Sequence, residues 1–380
     1  MSIDRTRRRR VAVALLLTAA VATGGAWAIA LRAPQVVVLA DEGFPSAVWP
    51  VSGRFERVEG AHPQPAPPAG TAASPQAQAR FSAAGGRALL VDQGGTLLVE
   101  QYGPDASRET KLNSYSLIKS LVGTLVLLAV SEGRIDGLAA SLQSILGPDA
   151  PDITVKQALT MTSGLEMEPE PPKTDARPMD DLDFSPFGPL ARLHAFGPEA
   201  ILQDLEVNLA DRGTFHYQSA NTALLGLVLE RVYGQPLQEL LADKIWRPSG
   251  AAPADWRVYP KADRVTAYCC LYARAIDWAR VGRFVMKNGT DGAPLLPPEL
   301  WRSFVLPNLS AAERRNGAYG MHLRHDVLDR DGAAPHGPFA YLMGHSGQVV
   351  YLLPEQDIVV VRFGAEAQLL HSTLYELLAE

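Results

Sequence analysis

The stretch "LNSYSLIKSLVGTLVLLAVSEG" (residues 112–133) decides how the rest of the chain is read. Past Ser116, the residues Leu121, Val122, Leu125, Val126, Leu128 and Ala129 place apolar side chains all round a helix. A helix apolar on every side lies inside a protein. Its first turn carries a polar pair. Ser116 and Lys119 are one helical turn apart if the helix begins at Ser116, so both project from the same face. Only seven of the 35 basic residues are lysines, and Lys119 alone of the seven has a serine three positions before it. Arginine would serve a surface ion pair, whereas lysine can give up its proton when buried. A serine hydroxyl is a poor nucleophile until a neighbouring base takes its proton. Burial among apolar neighbours disfavours the charged form of an amine, and Ser-Lys pairs are a known form of the nucleophile–base arrangement. The bland alternative is a capping serine with a lysine that snorkels to solvent.

Around this helix the pattern is globular from residue 80 onward. "RALLVDQGGTLLVEQYG" predicts two strands, near 87–92 and 96–102, joined by a Gly-Gly turn. "PDITVKQALTMTSGL" suggests a short helix ending at a turn, and "TALLGLVLERVYG" and "PLQELLADKIW" are amphipathic helices. The last third holds the helix "ARAIDWARVGRFVMKNG", strands at "GQVVYLLPE" and "DIVVVRFG", and a final helix near 368–379. Strands at both ends with helices between them predict an α+β fold. One central antiparallel sheet, flanked by helices, is built from distant segments beside a mostly helical lobe. A site would sit in the cleft between them. The proline- and acid-rich excursion at 168–189 has no core face and belongs to the part that shapes a pocket.

The first ten residues carry five arginines against Asp4, and the uncharged run Val11–Leu31 follows. Twenty-one helical residues span about 31 Å, close to the hydrocarbon thickness of a bilayer. Arginines before the run hold the N-terminus in the cytoplasm and send the remainder across. The expectation is an N-terminal membrane helix in a bacterial inner membrane, with the catalytic domain periplasmic or otherwise extracytoplasmic. An uncleaved anchor is preferred to a signal peptide cut at Ala26-Trp27-Ala28, and a twin-arginine signal ranks below both. The domains are then 1–33 (anchor or signal segment), 34–79 (an arm and a Pro/Ala-rich linker) and 80–380 (the globular body). Without its first ten residues the chain has 30 basic against 40 acidic side chains, which argues against nucleic acid as a partner. Cys269 and Cys270 are adjacent, so no stabilising disulfide is expected. His322 and His325 in "YGMHLRH" read as ordinary, partly exposed histidines rather than metal ligands.

Two further stretches carry candidate chemistry. In "GTFHYQSANTALLG" (213–226), Tyr217, Ser219 and Asn221 alternate and would share one face of extended backbone. Tyr217 could relay protons while Ser219 or Asn221 donates to a substrate carbonyl; the competing reading makes Asn221 or Thr222 the cap of the next helix. In "GHSGQVVYLLPEQDIVVV" (344–361), His345 would begin a cleft-lining strand. Gly347 would let a ligand approach the backbone, and the Gln348 N–H could pair with that of Ser116 as an oxyanion hole. A structural histidine is the plain alternative for His345.

Together, Ser116-Leu117-Ile118-Lys119, Tyr217-Gln218-Ser219 and His345-Ser346-Gly347 resemble, in order, the three motifs of the penicillin-binding-protein and β-lactamase superfamily of serine hydrolases. The likeness covers about residues 80–380 and includes "MTSGL" and "LLG-x-x-x-E-x-x-x-G". It is greatest to the class C-like branch, especially the 6-aminohexanoate-dimer hydrolases and related esterases, which share Y-x-S-x-N-T and the "CC-x-x-A-R-D-x-A-R-x-G" stretch, here "CCLYARAIDWARVG". The resemblance implies a β-lactamase/transpeptidase-like fold with Ser116, Lys119 and Tyr217 as catalytic residues. Ser219, Asn221, His345, Ser346, Gly347 and Gln348 would be substrate-binding, and no cofactor or metal is implied. Ser219 stands where many relatives have asparagine, and His345 where β-lactamases have lysine. Both departures point to a small ester or amide substrate rather than an antibiotic. Rival readings are a D-Ala-D-Ala carboxypeptidase and a non-catalytic wall-associated binding protein. An α/β-hydrolase is disfavoured because "GHSGQ" lacks the last glycine of G-x-S-x-G.

Overall fold

Gly94 and Gly95 turn the chain where the sequence places them, both at positive φ (60° and 88°), between strands paired up to Gln93 and Thr96. A two-residue loop of this handedness matches the twist of the strands it joins. The computed structural model describes residues 31–43, 49–50, 52–61, 68–167, 185–365 and 370–378. Its first third contains helix α1 (Pro34–Glu42), strand β1 (Phe55–Val58), α2 (Pro75–Ala83), β2 (Gly86–Gln93), β3 (Thr96–Tyr102), β4 (Lys111–Asn113) and α3 (Leu117–Ser131). The middle adds α4 (Val155–Thr160), α5 (Pro189–Phe196), α6 (Ser219–Tyr233), β5 (Ala254–Arg257), β6 (Leu271–Arg274) and α7 (Ala275–Met286). The last part supplies β7 (Ala318–Gly320), β8 (Leu323–Leu328), β9 (Gly337–Gly344), β10 (Gln348–Leu353), β11 (Ile358–Gly364) and α8 (Leu370–Leu378).

Seven strands form an antiparallel sheet in the order β7-β8-β9-β10-β11-β2-β3, so the N-terminal hairpin closes onto the C-terminal strands, with Val91 opposite Val360. The period-2 alternation sorts its central strands between two cores. Val350, Leu352, Val359 and Val361 face one core with α3 and α7, while Val349, Tyr351, Leu353 and Val360 face another with Phe81 of α2 and Leu374 of α8. Covered on both sides, β10 and β11 are buried at every residue, which is why their sequence is a nearly unbroken apolar run. Helix α3 is buried from Leu117 to Ala129, as its sequence requires, and packs against β9 and β10 on one side and α6 on the other.

Three expectations need correction. A second antiparallel sheet, β1-β5-β6-β4, stands beside the main one. Its short strands draw on segments too brief to show a period. The described residues of the stretch 34–60, read as an arm, are built into the body: β1 is an edge of that second sheet, and Glu42 of α1 forms a buried ion pair with Arg257 of β5. Third, Cys269 and Cys270 are joined to each other, with Cys270 at φ 71°, a backbone conformation that simple consideration of neighbouring cysteines leaves out. Among the described residues no helix is long and apolar enough to cross a membrane. The apolar run 11–31 lies, but for Leu31, outside those residues, as does most of the 168–189 excursion.

Candidate active site

Strand β4 ends at Asn113, and three residues later the chain enters α3. Ser114 ties this connection to the start of β6 through its N–H to the Leu271 carbonyl (2.9 Å) and its Oγ from the Leu271 N–H (3.0 Å). Tyr115 follows at φ 44°, the left-handed region that a residue with a side chain enters at a cost. Ser116 is the N-cap of α3, but its side chain makes no capping hydrogen bond. Instead Lys119 Nζ donates to Ser116 Oγ at 2.9 Å and to the Tyr268 carbonyl at 2.9 Å. The lysine is 3% exposed, so it does not snorkel. Among the described residues no carboxylate forms an ion pair with it, which is unusual for a buried amine. Both halves of the bland reading fail here.

Tyr217 comes from the segment before α6. Its ring centre is 5.1 Å from Lys119 Nζ, and that of Tyr268 is 5.4 Å from the same atom. The His345–Gly347 turn approaches the same connection, with the His345 ring edge-on to Tyr115 at 5.3 Å between centres. Gly344 permits this closeness. A Cβ there would run into the Ser114 carbonyl and come 3.2 Å from the Ser116 nitrogen. The serine, lysine and tyrosine are therefore brought to one place, with the third motif beside them.

Several finer expectations give way. Ser219 and Asn221 do not alternate along extended backbone. Both lie inside α6, whose N-cap is Gln218, and Asn221 is fully buried with its amide 3.5 Å from the Met161 sulfur. It neither caps the helix nor faces an open cleft. His345 precedes the strand rather than beginning it; β10 starts at Gln348. The Gln348 backbone N–H bonds the His345 carbonyl and is not free to hold an oxyanion. Its side chain is equally committed, with Nε2 donating to the carbonyls of His345 (3.0 Å), Ser346 (3.3 Å) and Gly364 (2.7 Å). Arg362, itself buried, braces the same turn from behind through the Ser346 and Gly347 carbonyls (3.1 and 2.7 Å). Ser346 and Gly347, at φ 58° and 71°, owe their left-handed turn to this bracing. The Ser116 N–H has no hydrogen-bond partner among the described residues.

His322 was not recognisable from its neighbours. It occupies the tip of the β7–β8 hairpin, where Met321 and His322 both have positive φ without glycine or asparagine to ease it. The tip is buried between helices. The His322 N–H donates to Leu159 O at the end of α4 (3.0 Å), its carbonyl accepts Ser120 Oγ of α3 (2.5 Å), and its ring nitrogens meet Thr222 of α6 (2.9 Å) and Tyr319 (3.2 Å). His322 thus ties the serine's helix, through its backbone carbonyl, to the helix that follows Tyr217, through its ring. His325 is buried as well. Burial pushes both imidazoles down from 6.5 to about 3, with Lys119 adding to the effect at His322 and Arg314 at His325. A group whose folded pKa is depressed keeps its full stabilising effect above its unfolded pKa and loses it as pH falls toward the folded value. The window runs from about 6.5 to about 3. Acidification from pH 7 to pH 5 is expected to cost about 2 kcal/mol per imidazole, and His322→Gln should flatten that slope. Thermal melts across this range check it; equal melting temperatures at pH 7 and 5 would contradict it.

A cavity of about 690 Å³ lies elsewhere, between α1 and α5, and includes none of Ser116, Lys119 or Tyr217. The chemistry therefore has to be located by side chains, not by hollow space.

A sheet-and-lobe body with a bonded serine and lysine where the two meet is the build of an acyl-transfer serine hydrolase. Comparison with known proteins agrees: the chain belongs to the Beta-lactamase family, whose pattern matches residues 59–368, and is a serine hydrolase of the amidase and esterase kind. It is 24% identical over 286 residues to the 6-aminohexanoate-dimer hydrolase of Paenarthrobacter ureafaciens, covering 73% of this chain and 72% of that one. A Bacillus anthracis structure with a provisional 6-aminohexanoate-dimer hydrolase assignment superposes with a TM-score of 0.67 at 19% identity, over 86% of this chain and 89% of the other. The class C β-lactamase of Rhodobacter sphaeroides does so with a TM-score of 0.53 at 17% identity, over 80% and 99%.

Proposed function

We propose that this chain is an exported serine hydrolase that cleaves a small ester or amide through an acyl-enzyme on Ser116. The observation that carries the reading is the 2.9 Å contact between Lys119 Nζ and a Ser116 hydroxyl released from capping duty. In its neutral form the amine accepts the Ser116 proton as Oγ attacks the substrate carbonyl. The developing oxyanion is held by the Ser116 N–H. Tyr217, packed against Lys119, passes the proton to the leaving alcohol or amine. Water then attacks the acyl-enzyme with the same groups in reverse, restoring Ser116 and releasing the acid. The His345–Gly347 turn, beside Tyr115, borders the approach. The relative named for a linear amide dimer supports amides as substrates. Export, with the N-terminal segment in the membrane, is supported by the arginine-flanked run 11–31 and by the Cys269–Cys270 bond, since disulfides persist mainly outside the cytosol.

The test uses p-nitrophenyl esters and short ω-amino-acid amides, with mass spectrometry of the trapped protein. Wild type should show a mass increment of one acyl group on the peptide containing Ser116. Ser116→Ala should lose both the increment and turnover. Unchanged hydrolysis by that variant would end the reading.

A further inference from the structure

Cys269 and Cys270 are the only cysteines of the chain, and their bond lies in the middle of a run, 268–271, that grips the active site. The Tyr268 carbonyl accepts Lys119 Nζ at 2.9 Å. The Cys269 carbonyl accepts Trp256 Nε1 (3.0 Å) and Thr266 Oγ1 (2.9 Å), which fastens it to the core. The Cys270 N–H donates to Tyr115 O (3.2 Å), and Leu271 exchanges two hydrogen bonds with Ser114 (2.9 and 3.0 Å). Three of the four residues thus hold the base or the connection that carries Ser116.

The position of the bond says what it can do. A disulfide stabilises a fold chiefly by closing a loop of chain, and neighbouring residues enclose none. The two residues are 5% and 0% exposed, so the bond is not a surface staple either. Its effect is local: a ring through both side chains removes the torsional freedom of the peptide between them. Cys270 has φ 71°, a conformation that a residue with a side chain keeps only where its surroundings impose it. The ring imposes it covalently, one residue from each of the contacts to Lys119 and Ser114. Tyr268 is held from the other side as well, its hydroxyl 2.9 Å from His194 Nδ1.

We propose that Cys269 and Cys270 are positioning residues of this hydrolase: their bond keeps the Tyr268 carbonyl on Lys119 and the Cys270 N–H on Tyr115, and opening it misplaces the base. The inference rests on the hydrolase reading above and adds a redox dependence to it. Opening takes a two-electron reductant such as a dithiol. One thiolate attacks a sulfur of the bond, the second thiol displaces the mixed disulfide, and the protein gains two thiols while the dithiol becomes a cyclic disulfide.

The experiment compares wild type before and after treatment with dithiothreitol and removal of the reagent, using p-nitrophenyl butyrate as substrate. Thiol titration should count none per chain before and two after, with no other cysteine to contribute. The reduced protein should lose about 10- to 100-fold in kcat, the scale of an ångström-sized misplacement in an active site, with KM within about twofold of its starting value, and reoxidation with diamide should restore it. Cys269→Ala/Cys270→Ala gives the open form without a reductant and should show the same loss. Cys269→Ala/Cys270→Gly should recover part of it, because glycine takes a positive φ without steric cost. Melting curves show which forms are folded at the assay temperature, and the reduced wild type decides the matter if a variant is not. An undiminished kcat in a folded open form, a loss carried by KM, or a glycine variant no better than the double alanine one would overturn the proposal. Turnover retained in Ser116→Ala would instead count against the hydrolase reading itself.

Discussion

Lys119→Met is expected to lower kcat for ester hydrolysis by about a thousandfold or more, within the range that a positioned proton-transfer group contributes, while leaving the protein folded and no less stable. The two halves of that expectation come from different physics. Activity falls because methionine has no lone pair for the Ser116 proton, and no other titratable group hydrogen-bonds Ser116 Oγ among the described residues. Stability holds because an amine 3% exposed and without a carboxylate partner gives up hydration that its two hydrogen bonds only partly replace. Methionine is apolar, of similar length and tolerant of irregular cavities. Lys119→Arg serves as the companion variant. It keeps a cation but cannot be deprotonated, so it should be as inactive as Lys119→Met. Stopped-flow measurement of p-nitrophenol release, alongside thermal melts, separates the effects. If either variant keeps activity within tenfold of wild type, Lys119 is not the base.

This prediction draws on the part of the site that was most legible. Ser116 and Lys119 sit on a regular helix, where spacing in sequence is spacing on a face, and the all-round apolar pattern announced burial before any coordinates did. The strands Gln348–Leu353 and Ile358–Gly364 were readable for the same reason: a sheet covered on both sides leaves a nearly unbroken apolar run, interrupted in the second strand by the buried Arg362. Tyr217 lay near a motif boundary but could not be joined to the serine without the resemblance, because 101 residues of chain separate the two and nothing local records their meeting. The least legible elements are those where tertiary contacts override local preference. Met321 and His322 make a tight turn with residues that ordinarily avoid it, held there by Leu159, Ser120 and Thr222. Asn221 reads as a cap and is a helix interior residue. Gln348 reads as a binding residue and is a brace whose amide spans three carbonyls. Each is a polar residue whose partner is remote, and polarity alone does not reveal the partner.

Glu42→Gln is expected to lower the unfolding free energy by about 3–5 kcal/mol, the usual consequence of stripping one member from a buried ion pair. Arg257 is 0% exposed and Glu42 is 4% exposed in their side chains, with Arg257 Nη2 2.6 Å from Glu42 Oε2 and 2.9 Å from the His194 carbonyl. The guanidinium also lies 5.0 Å from the Trp49 ring centre. Removing the carboxylate leaves a cation with no anion beside it in a site that water does not reach. The pair itself adds little net stability, since burial pushes the Glu42 carboxyl up from its ordinary value even with Arg257 beside it. The double variant Glu42→Met/Arg257→Met should therefore recover most of the single variant's loss. The consequence reaches the site through a short route. The Arg257 N–H donates to the Cys270 carbonyl (3.1 Å), Cys270 donates to Tyr115 O (3.2 Å), and Tyr268, two residues before Cys270, supplies the carbonyl that holds Lys119. Glu42→Gln should accordingly lower kcat as well as stability, whereas the double variant, with the backbone contacts kept, should regain activity. Chemical denaturation and kcat measured on the same samples distinguish this from a mere anchoring role for the first helix. A Glu42→Gln protein within 1 kcal/mol of wild type would show that the ion pair does not hold residues 34–42 to the body.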